Sequence, residues 1–205
     1  MSANKHIIVA CTSVSLIASL PATAAGLDHK ITFDESGIWN RNVQKAVEYG
    51  SIAVVLGGAL WEGGEDRLGR TFWQAVDSTV VSSVAAQAGK YIFSRARPSQ
   101  TDDPNQWFQG SGHQSFPSGE VTLVSSAVAP FVFEYGREYP AVWGLELLTV
   151  YDMVARVKSQ AHWQTDVLAG AALGTTVGYF ANQRNQPFFL GLMPNGIQVG
   201  YRTKF

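Results

Sequence analysis

Apolar and polar positions repeat with a helical period over most of this chain, and five stretches carry the pattern. Residues 40–61 are predicted as a helix that runs into the charged loop GGEDRLGR. The next helix covers 71–96, where Val76, Val80, Val84 and Ala88 make an apolar ridge at four-residue spacing. Arg97-Pro98 stops it, because the residue before a proline is disfavoured in the α region. A loop over 99–116, rich in Gly, Ser, Gln and Asp, holds Trp107 and Phe108. Further helices are predicted over 118–135, 140–157 and 162–182. In the last of these Gly170, Gly174 and Gly178 continue the four-residue step of His162 and Asp166, so a second helix can lie close against it. The tail FFLGLMPNGIQVGYRTKF places Asn-Gly between alternating runs, the signal of a short β-hairpin. The expected fold is all-α: a single-domain helical bundle with a short C-terminal hairpin.

The N-terminal stretch reads differently. Lys5 and His6 precede an uncharged run, 7–27, that reaches PATAA, and Ala22-Thr23-Ala24 fits a small-x-small cleavage site. Residues 1–24 are therefore expected to be a secretory signal peptide and 25–205 the mature domain, located in the periplasm. The alternative is an uncleaved segment anchoring the protein to the inner membrane. Cys11 follows Ile8-Val9-Ala10 as in a lipoprotein box, but too few apolar residues precede it. As the only cysteine, it also excludes an intrachain disulfide and a four-thiolate zinc site. A spanning helix needs about 20 apolar residues; the apolar runs at 49–61, 121–133 and 167–183 are shorter and read as buried helices of a compact soluble bundle. With a formal net charge of −1 there is no basic footprint for nucleic acid.

Three groups of residues carry candidate chemistry. Lys90 and Arg97, seven apart on one predicted helix, share a face roughly 10 Å apart along the axis and can converge on one anion. Phe116-Pro117-Ser118-Gly119-Glu120 stands where a helix starts, so Ser118 can cap and the free N–H groups can cradle phosphate. Arg156 precedes His162 by six, and the His162–Asp166 spacing puts imidazole and carboxylate on one helical face within hydrogen-bonding reach. Each group has a plain reading: a solvated helix end, a turn with its cap, an exposed pair. Together, in this order, they describe phosphoryl transfer, which needs positioning and cationic stabilisation more than covalent machinery.

The combination K-x6-R-P (Lys90, Arg97, Pro98), P-S-G (117–119) and R-x5-H-x3-D (Arg156, His162, Asp166) resembles the signature of the type 2 phosphatidic acid phosphatase and vanadium haloperoxidase superfamily. The resemblance implies an all-α bundle and metal-independent hydrolysis of phosphomonoesters or diphosphates. It implies that His162 is the nucleophile forming a phosphohistidine, oriented by Asp166. Lys90, Arg97, Arg156, the Ser118 hydroxyl and the Gly119 N–H would hold the phosphoryl oxygens. No cofactor is implied, and phosphate or vanadate would fill the site. One position departs from the pattern: the family usually has a His after Pro-Ser-Gly as the acid for the leaving alkoxide, and here it is Glu120. A carboxyl can donate only if its pKa is raised. Nearby cations lower it, whereas burial and bound phosphate raise it. Glu120 is thus an acid working at lower pH, a mark of slow turnover, or an inactivating change. His113, upstream in the glycine-rich loop, either replaces the missing imidazole or is a surface histidine.

The expected function is a phosphatase for phosphomonoesters, of small-molecule, lipid or isoprenoid type, with membrane contact through a lipid substrate. Trp107, Phe108 and Phe116 fit an apolar leaving group or simple packing. The alternatives are a catalytically impaired anion-binding protein of the same fold and a vanadate-dependent haloperoxidase. Oligomeric state has no signal in the chain.

Overall fold

The computed structural model describes residues 26–184 and, beyond them, the backbone of two three-residue strands, Gly191–Met193 (β1) and Gly196–Gln198 (β2), paired antiparallel with Leu192 opposite Ile197. The leader expected over 1–24 lies outside the described residues. A 3₁₀ turn, Gly37–Trp39, leads into α1 (Arg41–Glu62); α2 (Arg67–Phe93), α3 (Gly119–Tyr135), α4 (Glu146–Lys158) and α5 (Gln164–Asn182) follow.

Local chemistry sets these ends. The Asn40 side chain accepts the Asn42 N–H at the start of α1, and Gly63, at φ +72°, ends it in a conformation that favours glycine. Asp66 caps Gly69, so α2 begins at Arg67, before the apolar pattern does. It also stops at Phe93, earlier than expected, because Ser94 takes a left-handed conformation. Residues Pro140–Leu145 form a 3₁₀ turn, and α4 starts only at Glu146.

Helix α3 is central, with α2 and α5 packed on it. The glycine stripe of α5 meets small α3 residues: a Cβ on Gly170 would lie 2.6 Å from the Ser118 carbonyl, and one on Gly174 would overlap Ser125 Oγ and the Thr122 carbonyl. The predicted ridge of α2 is corrected. Val76 is buried, but Val80 and Val84 are 47% and 66% exposed. The inward face instead carries Thr71, Ala75, Ser78, Ser82 and Ala86. Small residues permit close approach to α3, and their hydroxyls have partners there: Ser78 Oγ donates to the Ser126 carbonyl (2.6 Å), and Ser82 Oγ bonds Ser126 Oγ (2.9 Å). An apolar cluster of Val55, Ala59, Trp73, Val76 and Ala127 joins α1, α2 and α3. Among the described residues no helix is long and apolar enough to cross a membrane.

Candidate active site

The turn after α2 brings the first two cations together. Arg97 lies beyond the end of the helix, so it does not share a helical face with Lys90 as the spacing suggested. The left-handed Ser94 reverses the chain, and Lys90 Nζ and Arg97 Nη2 both donate to the Gln114 carbonyl, at 3.0 and 3.3 Å. Burial, then the charge of Arg97, brings the Lys90 ammonium down to about 8. Lys90 Cε passes 3.3 Å from where a Gly119 side chain would begin, at the N-terminus of α3. Ser118 occupies the N-cap position without capping: its N–H donates to the Asp166 carbonyl (3.0 Å), and its buried Oγ has no hydrogen-bond partner among the described residues. Unused helix N–H groups therefore stand close to the Lys90 ammonium at the start of α3.

Arg156, in the last turn of α4, approaches from the other side. Its Nη1 donates to Gln44 Oε1 (2.8 Å) and its Nη2 is 3.4 Å from Glu120 Oε1.

His162 does not begin a helix; it sits two residues before α5. Its Nδ1 is 2.7 Å from the Ser115 carbonyl. A carbonyl only accepts, so Nδ1 carries the hydrogen and Nε2 keeps its lone pair. Burial, reinforced by the charges of Lys90 and Arg156 against that of Asp166, pushes this imidazole down to about 3. The ring is neutral at physiological pH. Asp166 stands 3.8 Å from Nδ1, beyond hydrogen-bond length. The helix end explains the departure from the expected helical pair: Asp166, in the first turn of α5, turns back so that Oδ2 accepts the Trp163 N–H (2.9 Å) and the Ser115 hydroxyl (2.5 Å). Its Oδ1 accepts from Arg95 Nη1 (2.5 Å). Burial alone would raise Asp166, but His162, Arg95 and Ser115 together hold it below the usual carboxylate range.

Ser115 and Arg95 are site residues the sequence reading did not single out. The Arg95 guanidinium is fully enclosed, 4.2 Å from the Trp107 ring and 5.6 Å from that of Trp163. Trp107 and the buried Phe116 are thus packing, and Phe108 is 70% exposed.

Glu120 is gripped from α1 by Arg41, another residue not foreseen. Arg41 Nη1 donates to Oε2 (2.6 Å) and Nη2 to Oε1 (2.8 Å), a two-pronged pair. Burial raises the carboxyl, but the Arg41 hydrogen bonds and the charges of Arg156 and Arg41 outweigh it, leaving Glu120 lowered. One turn before Arg156, buried Asp152 has no partner for either oxygen among the described residues. Burial and the nearby Glu120 and Glu48 raise it to about 7 against the pull of Arg156 and Arg41. His113 Nδ1 is likewise unpartnered among the described residues; its backbone N–H reaches only the Gly110 carbonyl. No described group of three or more His, Cys, Asp and Glu residues could hold a metal. The donor set at Lys90, Arg97, Arg156 and Ser118 suits a tetrahedral oxyanion such as phosphate or vanadate.

Farther along α3 lies an apolar cavity of about 250 Å³ between α1, α3 and the start of α4, lined by Val47, Val54, Ala127, Val128, Phe131 and Leu148. Ala127 is seven residues beyond Glu120 on α3, roughly 10 Å along the helix.

A family model described as the PAP2 superfamily matches residues 71–189, more than half of the chain. A lipid A 1-phosphatase of Porphyromonas gingivalis is 34% identical over 93 residues, which cover 44% of this chain and 18% of that protein. The chain thus matches less than a fifth of the relative's length. No solved structure matches.

Proposed function

The chain belongs to the PAP2 superfamily, and on that premise we propose that it hydrolyses phosphate monoesters, lipid-linked ones in particular, with His162 as nucleophile. The observation that carries this reading is the neutral, buried His162, whose Nδ1 is tied to the Ser115 carbonyl so that the Nε2 lone pair is left to attack. The Nε2 lone pair attacks phosphorus in line; the N–P bond forms as the P–O bond to the leaving group breaks. The leaving oxygen takes the bonding pair and a proton from water. Because Nδ1 keeps its hydrogen on the Ser115 carbonyl, the phosphorylated ring is cationic. Water then attacks phosphorus, inorganic phosphate departs, and neutral His162 returns. Lys90, Arg97, Arg156, Ser118 Oγ and the Gly119 N–H hold the phosphoryl oxygens.

The apolar cavity farther along α3 and the lipid substrate named in the relative's description support a lipid phosphate as substrate. The leader pattern at 1–24 supports a periplasmic location. Intact residues 1–24 on membrane-bound protein, seen by mass spectrometry, would refute it.

A second reading is favoured by one observation, the Arg41–Glu120 pair. A carboxylate held ionised by two guanidinium bonds is a poor proton donor, which suits an anion-binding protein with little turnover. The two readings separate on leaving group. Purified protein should hydrolyse p-nitrophenyl phosphate, whose leaving group needs no proton, and hydrolyse hexyl phosphate far more slowly. Glu120→His should speed the alkyl ester by about 10²–10⁴-fold. His162→Ala should abolish turnover of both. Tight phosphate binding with no turnover of either ester would establish the binding protein instead.

A further inference from the structure

Before α1 the chain crosses the back of the site as an extended strap. His29 and Gln164 exchange two hydrogen bonds, His29 N to Gln164 Oε1 (3.1 Å) and Gln164 Nε2 to the His29 carbonyl (2.9 Å). Gln160 Nε2 donates to the Ile31 carbonyl (2.7 Å), and Asp34 N to that of Lys158 (3.0 Å). These bonds seat one residue, Asp28, deep inside. Its Oδ2 accepts from Arg95 Nη2 (2.6 Å) and Thr165 Oγ1 (2.6 Å), and its Oδ1 from Thr165 N (2.8 Å). The other nitrogen of the same guanidinium, Nη1, is the one that holds Asp166. The Asp28 and Arg95 side chains are 1% exposed and that of Asp166 is fully buried.

A buried ion pair that served stability alone would be complete with one carboxylate for one guanidinium. Here Arg95 bridges two, so the enclosed cluster carries a net charge of −1. That surplus lies on the Nδ1 side of His162. The cations Lys90 and Arg156, whose fields also reach His162, belong to the oxyanion cradle, where a bound phosphate dianion offsets them. We infer that Asp28 is a positioning residue for the reaction at His162: its carboxylate keeps the Asp28–Arg95–Asp166 cluster at −1 and so stabilises the positive charge the ring gains on phosphorylation. The inference rests on the phosphohistidine reading above. It extends the site to a residue thirteen positions before the first α-helix and outside the family-matched segment.

Charge accounting provides the test. Asp28→Asn brings the cluster to zero, Arg95→Gln to −2, and the double variant returns it to −1. Half-reactions are followed by rapid mixing with ³²P-labelled phenyl phosphate and quenching in alkali, where phosphohistidine survives. In Asp28→Asn, phosphoenzyme formation should slow by about tenfold, the order expected for a unit charge roughly 10 Å away. Its hydrolysis should not slow, because that step removes the positive charge, and KM should change by less than about threefold. The double variant should recover the wild-type formation rate, whereas two purely structural lesions would compound. If Asp28→Asn does not fold, Arg95→Gln against the double variant reads the same carboxylate, with formation slower in the double variant. Equal slowing of both half-reactions, or a fall in thermal midpoint with both rates unchanged, overturns the inference while the phosphatase reading stands. A wild-type protein that hydrolyses the ester without a trapped phosphoenzyme overturns the nucleophile assignment and this inference with it.

Discussion

Two single residues titrate where the same groups on an ordinary surface would not, one holding its proton less firmly and one more. Lys90, brought down to about 8, must be charged to grip a phosphate dianion. Above that pH the free protein loses the proton and binding has to recover it. Inorganic phosphate, followed by calorimetry, should bind progressively more weakly as pH rises through 8, by up to about tenfold per pH unit, and Lys90→Met should flatten that dependence. Asp152 is the opposite case. Its folded-state value of about 7 is above the ordinary 3.8, so the folded protein keeps this proton longer than the unfolded chain does. The resulting stability is fully present below about 4 and is lost as pH climbs through 7, with a slope of at most ~1.4 kcal/mol per pH unit. Thermal midpoints of the wild type should fall between pH 5 and 8 relative to Asp152→Asn. Neither value was legible from residue order, since each arises from burial and from neighbours on other helices.

At the scale of elements, α5 against α3 is the contact on which the site depends. The four-residue glycine spacing foretold that approach, because it is a local property of one helix. Gly174→Ala should destabilise the protein by roughly 1–3 kcal/mol in denaturant titration, since the added methyl meets the Thr122 backbone, which cannot rotate away. Leu168→Ala, at a half-exposed position of the same helix, should shift stability by under ~0.5 kcal/mol. The valines of α2 misled for a related reason: periodicity identifies a face without saying which side it turns to. Here the partner helix comes so near that mostly Ser, Thr and Ala fit between, and Val80 and Val84 point outward.

Taken whole, the molecule places the candidate oxyanion cradle at one end of α3 and an apolar cavity farther along the same helix. If a lipid tail occupies that cavity, affinity should rise with alkyl chain length by up to ~0.8 kcal/mol per buried methylene. Val54→Asp, at the cavity wall, should then raise KM for decyl phosphate about tenfold more than for ethyl phosphate in steady-state assays. A chain-length series parallel in wild type and variant would remove the cavity from substrate binding.

What residue order settled was whatever depends on near neighbours: five helices and their approximate spans, the glycine stripe, and the ordered set Lys90, Arg97, Ser118, Gly119, Arg156, His162 and Asp166. Those residues do gather around the N-terminus of α3. Folding alone decided how they work together. The Ser115 carbonyl, forty-seven positions from His162, sets the ring tautomer, and Arg41, seventy-nine positions from Glu120, keeps that carboxylate ionised. Asp28 and Arg95 become part of the site only because a strap, a loop and a helix end enclose them together. Charges far apart in the chain acquire meaning from distance and burial, and neither quantity is written in the order of residues.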